Sequence, residues 1–73
     1  MTDRFVLWDE DGNKLTHKMM LSHIRLFIDE MHPEPGRTFI VKSDVSGYKM
    51  TITDETTIDD WREFEYQCDM ALD

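Results

Sequence analysis

With 73 residues, 16 acids against 8 bases and a formal charge of −8, the chain suits one small domain with a single thin core. That balance argues against a direct nucleic-acid binder, because phosphate backbones are gripped by clustered Lys and Arg, and equally against an anionic membrane surface. The lone Cys68 cannot form an internal disulfide, which favours a reducing cytoplasm. No apolar run approaches the roughly 20 residues that span a bilayer, so a soluble, unprocessed protein is expected.

In chain order, Phe5-Val6-Leu7-Trp8 is a short β-prone run that predicts a first strand over residues 4–8. The turn residues Asp9-Glu10-Asp11-Gly12-Asn13 stop it. A calcium loop aligned on Gly12 would put Leu7 and Lys18 at its first and last ligand positions, so the segment reads as a polar hairpin tip continued by Lys14 and Leu15. Thr16 can cap a helix, and Met20, Leu21, Ile24, Phe27, Ile28 and Met31 form one apolar stripe behind it. Pro33, Pro35 and Gly36 end the pattern, which predicts a helix over 17–32. His17, His23 and His32 lack the spacing of helical metal ligands and read as surface residues, while Met19, Met20 and Met31 read as core filler.

Arg37–Lys42 is rich in β-branched and aromatic residues, and a turn at Ser43–Gly47 follows with its glycine placed for positive φ. In Tyr48–Thr53, Tyr48, Met50 and Ile52 alternate with Lys49, Thr51 and Thr53, the pattern of a half-buried strand. The two runs predict a β-hairpin over 37–42 and 48–53. Beyond it, Thr56 and Thr57 stand three residues before Asp59 and Asp60, a capping-box arrangement. Ile58, Trp61, Phe64, Cys68 and Leu72 then keep helical spacing, predicting a second helix over 57–72. The order β-α-β-β-α implies a single α+β domain over 1–73, two layers deep, with both helices on one face of a small, mainly antiparallel sheet. Whether the first strand pairs beside the first or second hairpin strand is open. The other sheet face, with Lys49, Thr51, Thr53, Thr38, Ile40 and Lys42, is expected to be bare and a candidate homodimer surface.

Catalytic chemistry finds no foothold in the sequence. Ser22, Ser43 and Ser46 lie in no nucleophile elbow, Cys68 sits on the apolar stripe, and Gly12, Gly36 and Gly47 are isolated turn residues and form no phosphate loop. The expectation is a non-enzyme without metal or cofactor.

Charge is where the chain departs from the ordinary. Residues 54–73 carry eight acids, Asp54, Glu55, Asp59, Asp60, Glu63, Glu65, Asp69 and Asp73, against Arg62 alone, a formal charge of −7 that leaves −1 for the first 53. On a helix these acids occupy the face away from the core. Like charges one turn apart, as in Asp59/Glu63 and Glu65/Asp69, cost roughly 0.2–0.5 kcal/mol per pair, so a face tuned only for solubility would mix signs. Such a track imitates a run of phosphates and can enter a Lys/Arg-rich groove made for nucleic acid.

In size, single-domain form and local acidity, the chain resembles the small acidic proteins that bacteriophages make early to disable host machinery. These include DNA mimics such as the phage inhibitor of the histone-like nucleoid protein HU. The resemblance implies an inhibitor that binds the DNA-contacting surface of a basic host protein through Asp54, Glu55, Asp59, Asp60, Glu63, Glu65, Asp69 and Asp73, with Tyr66 as the exposed aromatic among them. The alternative is an adaptor or oligomerisation module that binds through apolar anchors such as Trp8, Tyr48, Trp61 or Tyr66, its acidity serving solubility only.

Overall fold

The computed structural model describes residues 5–71, the side chain of residue 71 excepted. The elements run β1 (Phe5–Asp9), α1 (Leu21–Met31), β2 (Phe39–Ser43), β3 (Lys49–Ile52) and α2 (Ile58–Ala71). The β-α-β-β-α order and the α+β architecture are as the periodicities predict. Arg4, the expected start of the first strand, and Leu72, the expected end of the second helix, lie outside the described residues.

The sheet is antiparallel with strand order β1-β2-β3, which settles the open pairing: β1 lies beside β2, Phe5 opposite Ser43 and Asp9 opposite Phe39. Period-two alternation sends Phe5, Leu7, Phe39, Val41 and Ile52 to one face. There they meet Leu21 and Ile24 of α1 and Trp61, Phe64 and Cys68 of α2 in one buried cluster, so both helices cover the same face. The Phe5 and Phe64 rings meet at 5.7 Å between centroids in a tilted arrangement, which ties α2 to β1 across the middle of the core.

The first helix begins later than predicted, and Thr16 is not its cap. Residues 14–19 run back along the outer edge of β1: Leu15 N–H donates to the Leu7 carbonyl, and Phe5 and Met19 exchange main-chain bonds, all at 2.8 Å. Thr16 is buried and its Oγ1 accepts the Leu7 N–H at 3.1 Å. These groups are spent on the strand edge and cannot start a helix. Met20 takes the N-cap position with no side-chain hydrogen bond, and His32 closes the helix in the left-handed region at φ 48, just ahead of Pro33. Of the predicted stripe, Leu21 and Ile24 are buried and Phe27 and Ile28 partly so, whereas Met20 and Met31 are exposed, a correction to the core reading of those methionines. Met19 does pack on the core, but from the strand edge.

The hairpin strands are shorter than predicted at both outer ends. Their turn closes with Gly47 N–H on the Ser43 carbonyl and Ser43 N–H on that of Tyr48. Gly47 has φ 80, so Gly47 and Tyr48 together oppose Ser43 as a bulge that requires glycine. That bulge leaves Tyr48 exposed and outside the strand, against its predicted half-burial. The opposite sheet face is less bare than expected. Lys42, Lys49 and Thr51 are exposed there, but Trp8 and Ile40, paired across β1 and β2, are half-buried, and Val6 is only 7% exposed.

Candidate functional site

The acidic surface starts in a turn that fixes the entry of α2. Thr53 N–H donates to Thr56 Oγ1 at 2.8 Å and Glu55 N–H to Thr53 Oγ1 at 3.1 Å, which sets Asp54 and Glu55 at an exposed corner. The helix then opens on a reciprocal cap. Thr57 N–H donates to Asp60 Oδ2 at 3.0 Å and Asp60 N–H to Thr57 Oγ1 at 3.3 Å, so Asp performs the task usual for Glu. Of the two threonines with capping spacing, Thr57 caps and Thr56 serves the turn.

Trp61, Phe64 and Cys68 anchor the inner face of α2, and Arg25 of α1 lies over the Trp61 ring at 5.9 Å. Ile58, placed on this stripe by its spacing, is 51% exposed. Its position in the first turn carries it over the rim of the core beside α1. All five acids of the helix, Asp59, Asp60, Glu63, Glu65 and Asp69, are exposed.

They do not form one unbroken track. With about 100° between successive helical residues, Asp60 and Glu63 fall on the flank facing β3, and Glu65 and Asp69 on the flank toward α1. The ridge between them holds Asp59 and, one turn apart, Tyr66 and Met70, which are 64% and 54% exposed. Tyr66 was legible as an exposed aromatic. Met70 was missed, although its spacing of four from Tyr66 is the signal that groups them.

Arg62 is the one base on α2, and it is exposed and makes no ion pair among the described residues. Among the described residues the ion pairs are Lys18 Nζ–Asp44 Oδ2 at 2.7 Å and Arg37 Nε–Glu10 Oε1 at 3.1 Å, both remote from α2. The last turn of α2 holds no base, so Asp69 faces the negative helix end, an unfavourable placement of roughly 0.3–1 kcal/mol. Asp73, the remaining expected site residue, lies outside the described residues. Elsewhere the described residues hold no group of three His, Cys, Asp or Glu able to bind a metal, and among them no helix is long and apolar enough to cross a membrane.

No protein-family model, curated protein or solved structure matches the chain.

Proposed function

We propose that this protein is a non-enzymatic inhibitor that presents α2 and the corner before it as a mimic of nucleic-acid phosphates and blocks the basic surface of a DNA-binding protein, nucleoid proteins of the HU type being the first candidates. The supporting observation is the set of five exposed acids on a capped, core-anchored helix with no ion-pair partner among the described residues. Asp59 and Asp60 suit the positive start of the helix, but Glu63, Glu65 and Asp69 have no such compensation and form no ion pair among the described residues, whereas a coat selected only for solubility would mix signs.

Charge density sets the scale of the mimicry. Fourteen helical residues span about 21 Å, so the acids come about every 4 Å, close to one DNA strand at roughly 3.4 Å and sparser than the duplex at roughly 1.7 Å. Asp54 and Glu55 extend the array at its N-terminal end. Competition with DNA is therefore expected at low ionic strength, falling steeply as salt rises.

The experiment is displacement of labelled duplex DNA from purified HU, followed by anisotropy across a salt series. Wild-type protein should displace the DNA and should not itself bind it. The combined variant Asp59→Asn, Asp60→Asn, Glu63→Gln, Glu65→Gln, Asp69→Asn keeps shape, and the side-chain amide oxygen introduced by Asp60→Asn still offers an acceptor to the Thr57 N–H. It should remain folded and lose displacement. A folded, charge-stripped protein that still displaced DNA would sink the proposal.

The exposed Tyr66 and Met70 ridge favours a second reading, an adaptor whose affinity is apolar. In that case partner binding would be indifferent to salt, and Tyr66→Ala would abolish it where charge neutralisation did not.

A further inference from the structure

The two edges of the sheet are treated differently. The edge of β1 is sealed by residues 14–19, while among the described residues no segment pairs with the outer edge of β3. Because Ser43 and Tyr48 form a hydrogen-bonded position, the antiparallel alternation turns the N–H and C=O of Lys49 and Thr51 away from β2. An open row of main-chain donors and acceptors remains, the kind of edge that folded proteins ordinarily blunt.

A trough runs between this edge and α2. At one end, of about 290 Å³, it is lined by Met50, Thr51, Asp60, Glu63 and Phe64. It continues past Lys49 into a wider part of about 470 Å³ bounded by Tyr48, Tyr66 and Met70, with Phe64 on the floor of both. The trough is therefore acidic at the end near the start of α2 and aromatic at the other.

We infer that β3 accepts an extended segment of a partner protein as a fourth strand, one face of which carries a Lys or Arg followed at alternate positions by apolar residues. Main-chain bonds to Lys49 and Thr51 supply the pairing. Alternate side chains, about 7 Å apart along a strand, place the base at Asp60 and Glu63 and the apolar groups over Phe64 and between Tyr48, Tyr66 and Met70. Charge selects against a second copy as the occupant: pairing β3 with β3 would bring two α2 flanks bearing Asp60 and Glu63 toward each other, in a chain of charge −8. This inference does not rest on phosphate mimicry, because it uses one flank of α2 and a strand edge, and its readout involves no DNA.

The probe is the capped peptide Lys-Thr-Val-Thr-Phe-Thr-Val-Thr-Lys, which reads alike in both directions, titrated into the intact chain by NMR. Binding should shift Lys49, Thr51, Glu63 and Met70 and slow exchange of the Lys49 and Thr51 amides at least tenfold. Thr51→Pro, which removes an outward N–H and no bond to β2, should weaken binding at least tenfold. Glu63→Lys should do the same and should improve binding of a peptide with Glu in place of Lys. If Thr51→Pro fails to fold, a peptide N-methylated at alternate residues tests the same main-chain bonds and should bind at least tenfold more weakly. The proposal is overturned if the peptide does not bind, if its shifts map to another surface, or if neither Glu63→Lys nor removal of the main-chain bonds weakens it. It is equally overturned if the free protein is a dimer that Thr51→Pro converts to monomer, since the edge would then belong to a second copy.

Discussion

The two helices cover the same sheet face and are built on opposite plans. On α1, Arg25 and His23 share the polar surface with Asp29 and Glu30, the first turn has no acid, and Met20 offers no side-chain cap. Its position depends on Leu21 and Ile24 in the core and on residues 14–19 delivering the chain along β1. By contrast, α2 carries its own start signal in Thr57 and Asp60 and sets five acids against the single base Arg62. The difference teaches that a helix burdened with mutually repelling acids needs local reinforcement that a helix of mixed and sparser charge can do without.

The severest way to break this comparison is to remove the anchor that α2 relies on most. Phe64→Ala should destabilise the fold by about 3–5 kcal/mol, enough to unfold much of a domain this small. Chemical denaturation should show it, and an unchanged midpoint would mean that α2 does not pack through Phe64. A smaller effect separates the two starts. Thr57→Ala should cost about 1 kcal/mol, whereas Met20→Asp should add roughly 0.5–1 kcal/mol by supplying the cap that α1 lacks. If the two substitutions move the thermal midpoint in the same direction, the contrast in capping is wrong.

Sharper still is Asp69→Lys, which places a base in the last turn of α2. Stability should rise by a few tenths of a kcal/mol up to about 1 kcal/mol, while displacement of DNA from HU weakens. A gain in stability with no loss of displacement would make the acid an ornament of the surface.

The smallest effect lies outside both helices. The Asp9 carboxyl is held below its ordinary value, chiefly by the Asn13 N–H that donates to Oδ1 at 2.8 Å, with further bonds from the Asn13 side chain and the Asp11 N–H. Because the folded value is the lower one, this contribution is complete above the unfolded carboxyl range near 3.9 and is lost as pH falls through the folded value. Asp9→Asn should therefore lower the neutral plateau slightly and flatten the acid limb of a stability-against-pH curve, with no change at pH below the folded value.

Element order, both helices and the hairpin were legible because each segment keeps one period long enough to be read, and the burial of Trp61, Phe64 and Cys68 follows from that period alone. The stretch from Thr16 to Met20 was not. It has helix-compatible residues, but its main chain is claimed by β1, a tertiary pairing that leaves no local mark. Ile58 and Met31 fail for a related reason: period places a residue on a face but does not say where the partner surface ends. At the candidate site, the exposure of the acids and of Tyr66 could be read from the sequence. Which flank of acids faces β3, and the trough beside that strand, required the strand order.

The pairing of β1 also governs the route by which the chain reaches its fold. Its local partners, residues 14–19, can close quickly, and so can the hairpin of β2 and β3. Joining the two units means bringing together residues some thirty to forty positions apart, such as Asp9 with Phe39 and Phe5 with Ser43, across the span that contains α1. That closure is the slow step the topology imposes, and on the ribosome it cannot be completed until Ser43 has emerged, well after β1 has been made. Substitutions at Leu7 or Val41, which join the two units, should then act on the folding limb of a chevron, and we predict that those on α2 act on the unfolding limb, as they will if the helix docks after the sheet closes.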